Sequence, residues 1–165
     1  MKKRLLVALV MTIVLLLSST GLVLAGGRGL PTAEGQAVYD YITQTSPYQN
    51  WSLFPRKGKL YKGQHPHGAL LTSYVNDIAL KGINDRVGIL DDGAIIIKEN
   101  YMPDKTLGAV TVMYRVKGYD PDAGDWFWAK YKADGAIAKA GKVAGCIGCH
   151  TAAISNDWVF TGPVK

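Results

Sequence analysis

The spacing of apolar residues changes along the chain from a helical period to the alternation of strands. Val38, Tyr41 and Ile42 recur at helical spacing and predict a helix that ends before Pro47. Further along, β-branched and aromatic residues become frequent and alternate with polar ones, which is typical of strands that expose one face. Strands are predicted at residues 94–101, 107–116 and 126–131.

Two shorter helices complete the expected secondary structure. Asn76 can cap a helix that continues to Gly82, and another helix is expected to begin near Ala144. The predicted fold is α+β, a predominantly antiparallel β-sheet with a few short helices in a single domain.

Alternation also predicts which side chains share a face of the sheet. In the second strand, one face is bulky and apolar and the other has more room. The bulky face carries Val110, Val112, Tyr114 and Val116, and the roomier face carries Ala109, Thr111, Met113 and Arg115. In the first strand, Lys98 follows Ala94 and Ile96 on one face, and a lysine in such a row is ordinarily a strand-end charge that reaches water.

The N-terminus is typical of a secretory signal peptide. A positive segment, Lys2 to Arg4, precedes an apolar stretch at 5–17 and a small-residue cleavage site that ends at Ala25. We therefore expect residues 1–25 to be removed and residues 26–165 to act in the periplasm. The stretch 5–25 is also long enough to remain as an uncleaved membrane anchor.

Charge and length limit the possible functions of the mature domain. The whole chain carries a net charge of +6, and three of its cations lie in the signal peptide, which leaves +3. This charge is too small to predict nucleic-acid binding, although a mildly positive surface could steer an acidic redox partner. About 140 residues remain after cleavage, enough for one core.

The chemistry is concentrated in Cys146-Ile147-Gly148-Cys149-His150, which contains both cysteines of the chain. This pattern is typical of the attachment of a c-type haem. The two thiols lie on one face of a short helix and can bond the haem vinyl groups, and the adjacent imidazole can ligate the iron. One covalently attached haem is expected. The alternatives are a zinc site completed by His65 and His67, or a redox dithiol.

Three segments are distinctive when taken together: Asp92 to Glu99, Gly124-Asp125-Trp126-Phe127, and the haem motif followed by Asp157-Trp158-Val159-Phe160-Thr161. In this order they resemble the cytochrome P-460 family of periplasmic monohaem proteins. The resemblance implies a homodimer of antiparallel sheets. Characterised members oxidise hydroxylamine, taking it with nitric oxide toward nitrous oxide, whereas the related β-type cytochromes c′ bind nitric oxide without that oxidation.

The resemblance gives Lys98 a possible role, and it also shows that a carboxylate found in some family members is absent from this chain. Lys98 falls on the family lysine whose amine is bonded to a meso carbon of the porphyrin. Met113 falls where hydroxylamine-oxidising members carry a carboxylate that accepts a proton. Glu99 is a poor replacement, because alternation directs it away from Lys98.

Two residues could complete the open side of the haem. His67, near the position of a distal arginine in some members, could act as proton relay or sixth ligand, or could be an ordinary turn histidine. Met113 could instead ligate the iron, as in His/Met electron-transfer cytochromes, or pack in the core.

The sequence as a whole therefore predicts a periplasmic c-type cytochrome with redox chemistry on hydroxylamine or nitric oxide. The alternative is a non-catalytic electron-transfer or nitric-oxide-binding cytochrome. The expected partners are a small nitrogen-oxide ligand, a periplasmic electron carrier and a second copy of the chain.

Overall fold

The structure, a computed structural model, describes residues 29–165. The expected signal peptide, residues 1–25, lies outside the described residues. The helices and strands, in chain order, are α1 Gly35–Asp40, β1 Ser52–Leu53, β2 Tyr61–Lys62, β3 Leu70–Val75, α2 Asp77–Asp85, β4 Ile95–Tyr101, β5 Leu107–Arg115, β6 Trp126–Lys132, β7 Ile137–Gly141 and α3 Ala144–His150. Short helical segments that are not α-helical occupy Tyr41–Thr45, Tyr48–Asn50, Pro121–Ala123 and Thr151–Asn156.

All seven strands form one antiparallel sheet. Its order is β1-β3-β4-β5-β6-β7, and β2 pairs with a different part of β3. From β3 onward, each strand pairs with the next strand along the chain, as consecutive antiparallel strands commonly do, and α2 lies within the connection between β3 and β4. Within residues 29–165, no helix is both long and apolar enough to cross a bilayer.

The sheet separates two apolar clusters. Val110, Val112 and Tyr114 of β5 pack with Val38 and Ile42 of the N-terminal helical segment on one face. On the other face, the cluster contains Ile96, Met113, Trp128, Trp158 and Val159 and is bordered by residues of α3. The alternation predicted for β5 is therefore confirmed, and its roomier face is the one covered by the cysteine-containing helix.

Helix α2 begins where Asn76 predicts it to begin. The Asn76 side-chain oxygen accepts from the backbone N–H of Ala79, and Arg86, with φ 55°, ends the helix in the left-handed region beyond the predicted end at Gly82. Gly82 has a different role, because a Cβ there would lie 2.6 Å from Leu90 Cδ2. It lets the helix approach the Leu90 segment closely.

The three predicted strands and the helix near Ala144 are confirmed within one or two residues, but strands β1, β2, β3 and β7 were not predicted. Strand β3 is buried at every position after Leu70, so its sequence does not alternate. Strand β7 does not alternate for the opposite reason, since it is exposed along Ile137–Ala140 and has no apolar face.

The structure corrects the expectation that Lys98 is a strand-end charge. Lys98 is the fourth of seven residues in β4 and is partly buried. It pairs with Ser73 of β3 and Thr111 of β5, so strands flank it on both sides. Its side chain lines a cavity on the α3 face of the sheet.

Candidate haem site

Helix α3 brings both cysteines to the edge of this cavity. It starts directly after β7, and the Val143 carbonyl accepts from the N–H groups of Cys146 and Ile147. Cys146 is partly buried, Cys149 is exposed, and neither thiol forms a disulfide. Burial raises the pKa of the Cys146 thiol, and nearby Lys139 and Lys130 partly oppose that shift. Both cysteines line the cavity, and both are free.

His150 ends α3 and is held firmly. Its Nδ1 lies 2.7 Å from the Trp158 carbonyl oxygen, which can only accept, so Nδ1 carries the proton. The ring packs against Trp128 at 4.6 Å and Phe160 at 5.2 Å between ring centroids. Burial lowers the pKa of His150. The neutral ring therefore offers an Nε2 lone pair, as metal-ligating histidines with a bonded Nδ1 do.

A cavity of about 500 Å³ lies between the sheet and α3. Its lining includes Ile96, Lys98, Asn100, Thr111, Met113 and Trp128 from the sheet, and Cys146, Cys149, His150 and Phe160 from the C-terminal part of the chain. A neighbouring cavity of about 310 Å³ shares His67, Lys98 and His150 with it, so the two cavities adjoin. This volume is typical of a cofactor site.

The chemistry of the lining fits a haem. Trp128 Nε1 is buried and has no hydrogen-bond partner among the described residues, although an unpaired buried donor costs about 1–3 kcal/mol. A group with acceptor atoms in the cavity would relieve that cost. In contrast, residues 29–165 contain no cluster of three or more His, Cys, Asp or Glu side chains that could hold a bare metal ion. The ligands that a zinc site would need are therefore not assembled.

Comparison with protein families gives a match to the family model described as cytochrome P-460, over residues 45–161. The chain belongs to the cytochrome P-460 family. A search of the curated proteins found no match. Family membership makes the protein a c-type haem protein, and the matched region contains Cys146, Cys149, His150 and the cavity described above.

In this chain Lys98 lies where its amine could reach a haem held in the cavity. Burial, with a smaller contribution from Lys57, lowers the pKa of Lys98 to about 8. An appreciable fraction of the amine is therefore uncharged and nucleophilic near neutral pH. The cavity brings Lys98 together with both cysteines, as the resemblance implied, while the bond itself stays a prediction.

His67 lies in the loop between β2 and β3, and its ring reaches the cavity. Its Nδ1 is 2.8 Å from Asn100 Oδ1 of β4, so a side chain rather than neighbouring backbone holds the ring. The ring centroid lies 6.3 Å from that of His150. Burial is the largest cause that lowers the pKa of His67 to about 4, and Lys98 adds to it. His67 is therefore a neutral base in the cavity near neutral pH.

Met113 and Glu99 lie on opposite faces of the sheet. Met113 is 9% exposed and its strand neighbours are Ile96 and Trp128. Glu99 is buried on the other face, where it accepts hydrogen bonds from Tyr48 at 3.0 Å and Tyr101 at 2.7 Å. The prediction that Glu99 points away from Lys98 is confirmed.

Sequence reasoning missed Asn100 as a site residue and did not single out Trp128. A signal for Asn100 was present, since it lies two residues after Lys98 and thus on the same face of β4. No local signal identifies the Trp128 N–H as unpaired, because that depends on the residues packed around it.

Proposed function

We propose that this protein is a periplasmic cytochrome with one haem, bonded to Cys146 and Cys149 and ligated by His150, that carries out redox chemistry on hydroxylamine or nitric oxide. The observation that carries the proposal is the tautomer of His150. Its Nδ1–H is occupied by the Trp158 carbonyl, and its Nε2 is left as a ligand beside both thiols and a cavity of about 500 Å³.

The haem would supply a redox-active iron, and the surrounding residues would handle protons. Hydroxylamine and nitric oxide together give nitrous oxide, water, one proton and one electron. The electron must leave to a carrier, for which we propose a periplasmic electron-transfer protein. The proton needs a base, and His67 is a neutral imidazole in the same cavity. Lys98, with a pKa lowered to about 8, is the second basic group there.

A second candidate function is a cytochrome that carries electrons or binds nitric oxide without turnover. The composition of the cavity favours it: among the described residues that line it, none is Asp or Glu. Met113 lies at the position of the family carboxylate and packs in the apolar cluster. A thioether cannot accept a proton, so hydroxylamine oxidation would depend on His67, Lys98 or solvent as the base.

The test is a balance of products on the mature protein, expressed with c-type haem maturation. The holoprotein is supplied with hydroxylamine, nitric oxide and an excess of a one-electron chemical oxidant, and nitrous oxide and reduced oxidant are both quantified. Redox catalysis predicts equal amounts of the two, above a control with free haem. Saturable nitric oxide binding without nitrous oxide would favour a nitric-oxide-binding cytochrome, and no binding of either molecule would leave only the electron carrier.

Export and assembly belong to the same proposal. We expect cleavage after Ala25, an N-terminus at Gly26 and a homodimer of the mature chain. Mass spectrometry of the exported protein and light scattering after gel filtration measure these directly. If residues 1–25 were still present on protein in the membrane fraction, the segment would be an uncleaved anchor and not a removed signal peptide.

A further inference from the structure

We propose that His67 is the second axial ligand of the haem iron in the resting protein, that Asn100 is the residue that positions it, and that a nitrogen-oxide ligand binds by displacing it. The inference rests on the proposed function in that it requires a haem ligated by His150 in the cavity. It adds a regulated, six-coordinate resting state.

The first step is the orientation of the Asn100 side chain. Its Nδ2 lies 2.8 Å from the Lys98 carbonyl oxygen and 3.3 Å from that of Ala109. It also lies 3.2 Å from the hydroxyl of Thr111. Backbone carbonyls can only accept hydrogen bonds, so the amide nitrogen must face them. The sheet therefore fixes which end of the amide is the oxygen.

The second step is the tautomer of His67. With the amide fixed, Asn100 Oδ1 is the acceptor for the backbone N–H of Gly68 at 3.3 Å and for His67 Nδ1 at 2.8 Å. An oxygen that accepts from Nδ1 requires the proton on Nδ1. The Nε2 of His67 then carries a lone pair and no proton. It can ligate a metal but cannot donate a hydrogen bond to a bound ligand.

The third step is the distance between the two imidazoles. A histidine nitrogen lies about 2 Å from a metal that it ligates, so two imidazoles on opposite sides of one metal have ring centres about 6 Å apart. The centroids of His67 and His150 are 6.3 Å apart, with their planes at 87°. Both rings have Nδ1 bonded to a fixed oxygen, and no hydrogen bond to either Nε2 is present in the described part of the chain.

The fourth step concerns the loop that carries His67. Its backbone is held in place, while the His67 side chain remains able to leave the iron. The loop closes on itself through the Gly63 N–H and the Ala69 carbonyl at 2.8 Å. Gly68 approaches β4 so closely that a Cβ would lie 2.6 Å from the Tyr101 nitrogen. The backbone is thus held against the sheet, and ligand release needs only rotation of the His67 side chain away from Asn100.

Spectroscopy of the ferric holoprotein without added ligand tests the proposal. We expect absorption and electron paramagnetic resonance spectra of a low-spin haem with two nitrogen axial ligands. His67→Ala should convert it to high spin, and added imidazole should restore the low-spin spectra by filling the vacated position. Asn100→Ala should give a mixture of both spin states, because the His67 ring then lacks the acceptor that orients it. Nitric oxide should bind His67→Ala at least about tenfold faster than the wild type, since no ligand has to leave.

Met113→Leu is the matched control for the other possible axial ligand, and it should stay low-spin. A high-spin wild type overturns the proposal, as does a low-spin state that survives in His67→Ala but is lost in Met113→Leu. Failure of the proposed function is visible separately. If the spin states change as expected but neither the wild type nor His67→Ala binds nitric oxide or hydroxylamine, the ligation stands and the nitrogen-oxide chemistry does not.

Discussion

At the scale of single residues, Met113 and Trp128 decide whether the cavity can hold a carboxylate. The two residues are paired across β5 and β6, and the Trp128 N–H lacks a partner among residues 29–165. A glutamate at position 113 would place an acceptor on the same face as this donor, which would offset part of the cost of burying it.

Met113→Glu is therefore expected to fold and to increase the rate of hydroxylamine oxidation. A positioned general base contributes about a hundredfold or more to such reactions, so a tenfold gain is a conservative expectation. The measurement is the initial rate of oxidant reduction with hydroxylamine. Met113→Gln is the matched control, because it has the same shape and can accept from Trp128 but cannot take a proton. Equal rates in the two variants would show that the missing base does not limit turnover.

Lys98 gives the second prediction at this scale. Its buried, partly uncharged amine should bond the porphyrin, so a proteolytic digest of the holoprotein should link the Lys98 peptide to the haem peptide that contains Cys146 and Cys149. Lys98→Arg retains the positive charge and lacks a free amine near neutral pH. It should lose this link and show an ordinary Soret band in place of a red-shifted one. Separate peptides in the wild type would contradict the cross-link.

At the scale of secondary-structure elements, Asn76 joins α2 to β4. Its Oδ1 accepts from the N–H groups of Ala79 and Ile95, each at 3.0 Å, and its Nδ2 donates to the Gly93 carbonyl at 2.8 Å. One side chain thus caps the helix and closes the start of the strand that carries Lys98 and Asn100.

Asn76→Ala should lower the free energy of unfolding by about 3 kcal/mol, since a helix cap and two buried backbone groups lose their partner. Asn76→Asp retains the acceptor but replaces the donor to the Gly93 carbonyl by a second acceptor, so it should cost about 2 kcal/mol, less than Asn76→Ala. Denaturant unfolding monitored by circular dichroism measures both. Equal losses in the two variants would mean that the bond to Gly93, and not the cap, carries the stabilisation.

At the scale of the whole molecule, an ion pair ties the sheet to the segment that holds His150. Arg115, at the end of β5, lies 2.7 Å from Asp157, and both side chains are largely buried. The other oxygen of Asp157 accepts from the Leu90 N–H at 2.8 Å. Asp157 directly precedes Trp158, whose carbonyl fixes the His150 tautomer.

Arg115→Met should destabilise the fold by about 3 kcal/mol at neutral pH, because it leaves a buried carboxylate without its cation. Burial raises the pKa of Asp157, and Arg115 opposes that shift. In Arg115→Met the folded-state pKa rises further, so the deficit should shrink as pH falls through that pKa and protonates Asp157. Unfolding curves between about pH 4 and pH 7 test this sign, with Arg115→Lys as the control that keeps the charge. A deficit independent of pH would assign the loss to packing.

More of the candidate site than of the sheet could be predicted from the sequence. The prediction of haem attachment through Cys146, Cys149 and His150 rests on five consecutive positions. Strand alternation separated Lys98 from Glu99 and placed Met113 on the roomier face of its own strand. These patterns are local, and local spacing is what a sequence displays directly.

Only the tertiary structure decided how these residues meet. Strand β3 is buried on both faces, and strand β7 is largely exposed on both. Neither strand therefore shows the alternation of apolar and polar residues that predicts a strand. The tautomers of His67 and His150 depend on the Asn100 side chain and the Trp158 carbonyl. His67 and His150 are 83 positions apart in the sequence and their ring centroids 6.3 Å apart in space, and that proximity arises from the packing of a loop and a helix against the same sheet.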